Sequence, residues 1–467
     1  MVAAWCCRWA VWSNFTAVAS AKPPSTAIGL FAGFLDPIGY MKLMLAAGRF
    51  AAEPAQMHAF HFPNDVTTEL GSNPYSMPYS FLLQGFESPD LATGWYDAAL
   101  LYRKWVIREA TWMAPGTLHD KVARNQFPRW LLETPLWVQL NPYTAPCYNR
   151  GKYTCMINND TRSCCRPGNN IENVLRLRQT LGVPIAAFWT SWNTEHANTK
   201  NPVMTPNARF TADAKRLEDA DVRVVPYTNG RILDPSVAGR ATIGSHPTDY
   251  ACHSSVKPNK IYREIYSGYP YNVSYYVMDP ATEYWQDILA NLASNLTATF
   301  ALSGVYIDQI SSMYAEPCFN RIRRGTVAEG GGGQFGTAWS DGVRAMYEKA
   351  TSRMGAATHA LFSEAQAEPY IGQISGNMAL YGWKRCGFVP AFQVVYGGYV
   401  SAASTFPNSL VKPDMLLRQI LLPVPSSCFP PSKYSRCAGS AADDNEWDHG
   451  MALPGPHRPN ADSFWAR

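Results

Sequence analysis

The chain of 467 residues is long for a minimal domain and suits one barrel of about 250 residues or more with appended segments. Hydrophobic residues make up 46 % of it, ample for a core, and charged residues only 16 %, against a usual ~25 %. A net charge of +4 without any long basic run excludes a nucleic-acid footprint.

Residues 1–55 read as a leader or poorly ordered N-terminal segment. Arg8 precedes an apolar Trp9-Ala10-Val11-Trp12, and Ala17 to Ala21 resembles a small-residue cleavage site, although Ser13, Asn14 and Thr16 interrupt the apolar region. The second apolar run, Ala27 to Leu45, is broken by Asp36-Pro37 and Lys42. It falls short of the roughly 20 apolar residues of a membrane span, so no transmembrane helix is expected. Residues 56–125 are expected to hold a short β-rich remnant and a connecting helix. In that helix Trp95, Ala98, Ala99, Leu101, Tyr102, Trp105 and Val106 recur at helical spacing after Gly94.

From residue 126 to 422 strands and helices alternate. Leu136 to Leu140, Val183 to Trp192 and Val222 to Tyr227 read as the first three strands. Helices are expected near 173–181, 208–220 and 280–296, the last opened by Asp279-Pro280. Ser303 to Asp308 and Ala360 to Glu364 are strands four and five, with a helix from Trp339 to Met354 between them. Phe392 to Tyr396 reads as strand six, and a helix follows at Leu410 to Leu421. This is the pattern of an α/β chain folded as a (β/α)₈ TIM-type barrel, with strands seven and eight not evident. A doubly wound sheet is the alternative, but no Gly-rich phosphate fingerprint follows any strand. The glycines at 330–333 are a loop, because no Gly-Lys-Ser/Thr follows them. Residues 423–467 read as an irregular tail.

Of the 11 cysteines, Cys147, Cys155, Cys164 and Cys165 crowd one polar loop. That density suggests a disulfide-stapled loop of open connectivity. A zinc site is the competing reading, but the loop has neither a Cys-x-x-Cys pair nor a nearby His. Sequons at Asn14, Asn159, Asn272 and Asn295 fit a secretory route, so a secreted or secretory-lumen location is expected.

The chemistry points to strand ends. Val305 and Ile307 alternate with Tyr306 and Asp308, which makes one strand face apolar and the other aromatic and acidic. Glu364 ends the next strand in the same way. A right-handed strand–helix–strand unit places both C-terminal ends on one rim. Paired carboxylates about 5–5.5 Å apart are what retaining glycoside hydrolysis requires, and roughly 6.5–9.5 Å suits inversion; adjacent strands favour the closer pair. Glu316 and Glu368 are competing carboxylates. Trp189, Trp192, Asn193, Tyr227, Asn229, Tyr306, Gln309 and Tyr396 lie at or near predicted strand ends, where they could hold sugar hydroxyls or stack on sugar faces. For each, a turn or packing role has equal weight. No cofactor or metal is expected, since His196, His246, His253 and His359 show no ligand pairing.

Several of these residues carry a family resemblance. Gly94-Trp95-Tyr96, Leu101 to Trp105, Ser303 to Ile310, Cys318, Gly330 to Gly333 and Phe362-Ser363-Glu364 resemble a poorly characterised group of large proteins with a glycoside-hydrolase-like barrel. That group is similar to the α-amylase, α-galactosidase and endo-α-N-acetylgalactosaminidase barrels. The resemblance covers roughly residues 70–420. It implies a strand-four nucleophile at Asp308, a strand-five acid/base at Glu364, and α-linked galactose-, glucose- or N-acetylgalactosamine-type sugars. The chain departs from the pattern in three ways. Little chain precedes Gly94 for a β-sandwich, the last strands are not evident, and 321–329 contains no His. The reading is a retaining glycosidase whose partner is a neutral oligo- or polysaccharide or glycoconjugate. The alternative is a catalytically degenerate barrel that binds carbohydrate.

Overall fold

The computed structural model describes residues 2–3, 15–22, 26–47, 56–61, 77–88, 94–140, 169–190, 192–194, 198–253, 260–268, 271–311, 318, 336–364, 367–378 and 391–403. Much of the stretch read as a leader forms strands. They are β1 (Val2–Ala3), β2 (Phe15–Lys22), β3 (Thr26–Leu35) and β4 (Lys42–Ala47), followed by β5 (Gln56–His61) and β6 (Ser80–Ser88). An antiparallel sheet runs β1-β2-β3-β6, while β4 and β5 pair separately. In β3 the run Phe31, Ala32 and Phe34 is buried, while Leu30 is exposed. Helix α1 (Gly94–Glu109) buries Ala98, Ala99, Tyr102 and Val106 on one face.

Two short helices, α2 (Leu118–Ala123) and α3 (Trp130–Glu133), lead into the parallel sheet. Thr117 and Asp120 cap α2 reciprocally: the Thr117 hydroxyl accepts from Asp120 N at 3.1 Å, and the Asp120 carboxylate accepts from Thr117 N at 2.8 Å. There follow β7 (Leu136–Leu140), α4 (Asn169–Leu181), β8 (Ile185–Trp189), α5 (Phe210–Asp219) and β9 (Val222–Asn229). An antiparallel insertion of β10 (Ile232–Leu233), β11 (Arg263–Gly268) and β12 (Tyr271–Val277) stands between β9 and the next helix. Then come α6 (Glu283–Phe300), β13 (Gly304–Asp308), α7 (Ala338–Met354), β14 (Ala360–Glu364), β15 (Gly376–Met378), α8 (Ala391–Tyr396) and β16 (Ser401–Ala403). Helix α6 starts later than Pro280, because Thr282 is its N-cap and Asp279 instead accepts from Ala281 N at 3.0 Å.

Seven parallel strands pair in the order β16-β15-β14-β13-β9-β8-β7. In a flat sheet β7 and β14, four places apart, would lie about 19 Å apart. Yet the ring centroids of Trp137 on β7 and Phe362 on β14 are 4.8 Å apart. The sheet is therefore curled, with Phe188, Tyr306 and Phe362 meeting inside it. Gly376 makes room for this filling, since a β-carbon there would lie 2.5 Å from the Phe362 ring. Phe127, Trp130 and Leu131, from α3 and the turn before it, join the same inner cluster. Outside, the helices bury Val305, Ile307, Leu361 and Trp189.

Two expectations need correction: the place of strand six, and the missing strand seven, which is present as β16. Phe392 to Tyr396 is not strand six but lies in α8, where Ala391 and Val395, one helical turn apart, are both buried. The sixth strand is β15, reached through a 3₁₀ turn at Glu368–Tyr370. Its three residues include Gly376 and Asn377, poor strand formers that leave no periodic signal. The Leu410 helix, the cysteine loop at 147–165, Glu316 and the tail lie outside the described residues.

Lys121 fixes the N-terminal end of the curl. Its buried amine donates to Ile371 O at 2.7 Å and Tyr399 O at 2.8 Å, joining α2 to the segments that feed β15 and β16. Among the described residues no carboxylate accepts from it there. Burial, with a smaller push from Arg124, lowers the amine from 10.5 to about 7. Between those values the unfolded chain holds a proton that the folded chain has released, so stability rises with pH. The slope is up to about 1.4 kcal/mol per pH unit. Urea unfolding from pH 7 to 10 should show the wild type gaining on Lys121→Met as pH rises. Parallel curves would refute this assignment.

Candidate active site

The two carboxylates stand at the C-terminal ends of neighbouring strands. β13 and β14 pair in parallel with Tyr306 opposite Phe362 and Ile307 opposite Ser363. The next residues in that register are Asp308 and Glu364. Strand alternation turns Val305, Ile307, Leu361 and Ser363 toward the helices, and Tyr306, Asp308, Phe362 and Glu364 inward. Asp308 Oδ1 accepts from the Tyr306 hydroxyl at 2.6 Å, and Oδ2 from the Tyr227 hydroxyl at 2.8 Å. Glu364, on the neighbouring strand end, favours the ionised form of Asp308. Glu364 is only 5 % exposed.

Burial raises the proton affinity of Asp308, the donors Tyr306, Tyr227 and Glu364 pull it back, and the charge of Glu264 raises it again. The balance is upward. The Tyr227 oxygen also lies 2.8 Å from Asn198 Oδ1 and 3.3 Å from Asn229 Nδ2. A phenol has one proton to give, and the carboxylate is the stronger acceptor.

A polar wall backs the pair. Tyr347 on α7 donates to Ser363 Oγ at 2.9 Å, and its hydroxyl is 2.9 Å from Ser311 Oγ. Ser363 in turn donates to Ile307 O at 2.9 Å. Both carboxylate-bearing strand ends are thereby tied to one helix.

The eight other sequence candidates separate clearly. Tyr227 and Tyr306 reach Asp308. Gln309 and Asn229 sit beside it, but their amides are engaged in the protein: Gln309 donates to Glu264 Oε1 at 2.6 Å and accepts from Asn229 at 2.8 Å. The Asn229 Oδ1 accepts from Arg231 N at 2.9 Å and Ile232 N at 3.1 Å, so it shapes the turn after β9. Trp189 does not face the cleft. It has the helix-facing parity of β8, is fully buried, and its ring centroid is 4.9 Å from that of Phe210. Trp192 joins the same packing at 5.2 Å and donates to Tyr227 O at 2.6 Å, supporting the wall from behind. Asn193 is buried and its backbone bridges to Pro206. Tyr396 is not at a strand end at all, but is buried on α8 beside Glu368 and Tyr102.

Glu368 is likewise carried away from the rim, into the outer layer, where it accepts from Tyr102 at 3.2 Å. The residues missed from sequence are Asn198, Arg231, Glu264, Ser311 and Tyr347. None carries a local signal, because each acts only through a partner distant in the chain. Among the described residues the one three-member grouping of ligand-type side chains is Cys252, Asp279 and Cys318, and its two sulfurs are joined as a disulfide. That bond ties the insertion to the segment following Asp308. No helix among the described residues is long and apolar enough to cross a membrane.

Comparison with known proteins agrees with this architecture. A protein of Monosiga brevicollis named "Putative glycoside hydrolase 22789" is 26 % identical over 423 residues, 84 % of this chain and 32 % of its own length. A "Putative glycoside hydrolase" of Bacteroides thetaiotaomicron is 24 % identical over 279 residues, 60 % of this chain and 36 % of its own length. The chain thus spans roughly a third of the length of these relatives. Among solved structures, the α-N-acetylgalactosaminidase NagBb of Bifidobacterium bifidum superposes with a TM-score of 0.55 at 12 % identity, over 83 % of this chain and 57 % of that one. At that identity the shared property is the fold. A family described as "Domain of unknown function (DUF6259)" matches residues 75–406, well over half of the chain, and the chain belongs to that family.

Proposed function

We propose that the chain is a retaining glycoside hydrolase acting on a neutral, α-linked saccharide, with Asp308 as nucleophile and Glu364 as acid/base. What supports this is the placement of Asp308 and Glu364 at adjacent parallel strand ends, with two tyrosine hydroxyls donating to Asp308. Inversion needs a water between carboxylates roughly 6.5–9.5 Å apart, a gap that neighbouring strands do not favour. In the first step Glu364 gives its proton to the glycosidic oxygen while Asp308 bonds to the anomeric carbon and the leaving group departs. In the second, Glu364 takes a proton from water, which attacks that carbon and releases Asp308 as a carboxylate. Tyr306 and Tyr227 stabilise Asp308 in its ionised forms at both ends of the cycle.

The neutral-sugar reading rests on the groups around the pair. Tyr227, Tyr306 and Asn198 are uncharged, and the nearby cation Arg231 is paired with Glu264 at 3.3 Å. The names of the two relatives support glycoside hydrolysis, and that of the acetylgalactosaminidase supports an N-acetylgalactosamine type of sugar. The Cys252–Cys318 disulfide supports an oxidising, extracellular or secretory compartment.

Asp308→Asn should lower hydrolysis of aryl α-glycosides by at least about 10⁴-fold with unchanged thermal unfolding. A variant within tenfold of wild type overturns the nucleophile. Glu364→Gln should lose about 10²–10⁴-fold on substrates with poor leaving groups and far less on activated aryl glycosides; equal losses argue against the acid role. Tyr306→Phe removes a donor that favours ionised Asp308, so the acid limb of the kcat/KM profile should move to higher pH. An unmoved limb would separate Tyr306 from the reacting carboxylate. If no glycoside in the panel is cleaved but saccharide binding is retained, the chain is a binding barrel.

A further inference from the structure

Asp308 is followed by a backbone in an unusual state. Gln309 has φ 65°, the left-handed region that a non-glycine residue occupies at a cost. The turn is held from several sides. The Asp308 carbonyl accepts from Gly230 N at 3.1 Å and Ile310 N at 2.9 Å. The Gln309 side chain is clamped between Asn229 and Glu264, at 2.8 and 2.6 Å. Glu264 comes from β11, in the insertion between strand three and its helix, and it is 7 % exposed. Its second oxygen accepts from Arg231 Nε at 3.3 Å, and the Arg231 guanidinium lies 5.6 Å from the Trp339 ring centre.

We propose that Glu264 is a positioning residue for Asp308: by holding Gln309 it fixes the turn after β13, and with it the direction of the carboxyl. The proposal rests on the glycosidase reading for its catalytic consequence but not for the coupling itself. A buried carboxylate so placed also acts at a distance. Its negative charge disfavours ionisation of Asp308, and Arg231 moderates that effect. Among the described residues the titratable groups facing Asp308 are Tyr227 from β9, Tyr306 from its own strand, Glu364 from β14, Glu264 from β11 and Tyr347 from α7. Around Glu264 stand Arg231, Asp234 and Tyr275, the last opposite it on β12. The insertion is thus part of the site's machinery even though it lies outside the parallel sheet.

The test is Glu264→Gln in the full chain, which keeps the shape and a hydrogen-bond acceptor but removes the charge. The carboxyl of Asp308 is followed by ¹³C NMR titration of aspartate-labelled protein, its resonance identified by its loss in Asp308→Asn. The expected result is a fall in the Asp308 midpoint of about half a unit to one unit. The acid limb of kcat/KM should move down by the same amount, and kcat should drop about tenfold with KM within twofold. A folded Glu264→Gln protein whose Asp308 titration and acid limb match wild type overturns the proposal. Glu264→Ala serves as a second variant: if it folds with kcat unchanged, the positioning role falls. Movement of the Asp308 midpoint in a chain that cleaves no glycoside would sustain the coupling while sinking the glycosidase reading.

Discussion

The burial of the Asp308 carboxyl at a strand end is the constraint that the neighbouring structure has to satisfy. A carboxyl taken out of water keeps its ionised form accessible only if donors face it, and Tyr306 and Tyr227 do so. Parallel pairing of β13 and β14 brings Asp308 and Glu364 to one level. Parallel pairing with β9 on the other side puts Tyr227 opposite Tyr306, within reach of the same carboxylate.

Holding that geometry takes directional bonds behind the strands. The hydroxyls of Ser311, Tyr347 and Ser363 form a chain ending on the Ile307 carbonyl, and Tyr347 is buried deeply enough that its own ionisation is strongly disfavoured. Such a chain is stable when each member both gives and accepts. Gly230 adds a close approach: a β-carbon there would meet the Ile307 side chain at 2.4 Å, while its carbonyl accepts from the Trp285 indole at 2.7 Å. Apolar packing alone would let these strand ends slide. The polar chain and the close glycine remove that freedom.

The N-terminal strands are joined to the parallel sheet by a second buried polar group. Asp36 accepts from the backbone N–H groups of Ile38, Gly39 and Tyr40 at 3.0, 3.1 and 2.6 Å and pairs with Lys42. The turn so shaped docks on the start of α7, where Ser340 donates to Gly39 O at 2.8 Å and Arg344 to Ile38 O at 3.1 Å. Beside it, burial pushes Glu368 up to about 8, with the hydroxyls of Tyr396 and Tyr102 and the charge of Lys42 pulling the other way. Phe31 and Met41 share one hydrophobic cluster with the helices around the sheet. The early strands and the sheet are packed together through α1 and α7.

Local pattern carried much of this molecule. Short apolar runs between helical patterns identified β7, β8, β9, β13 and β14, because strands buried on both faces stay largely apolar. Alternation marked Asp308 and Glu364, since an acid at the inward parity of such a strand stands out against its neighbours. Pattern failed where length or partner mattered more than composition. β15 is too short to show a period, and the Val394-Val395 pair in α8 reads as strand until tertiary packing selects its helical face. Trp189 and Trp192 follow the same rule, since an aromatic near a strand end fits cleft and wall equally well, and only the curl decides which side it meets. Glu264 and Asn198 gain their roles from contacts across long stretches of chain, which no local window contains. The residue types and their alternation set which groups could react. Which of them touch was decided by the register of two strands and by the curvature that closes the sheet around them.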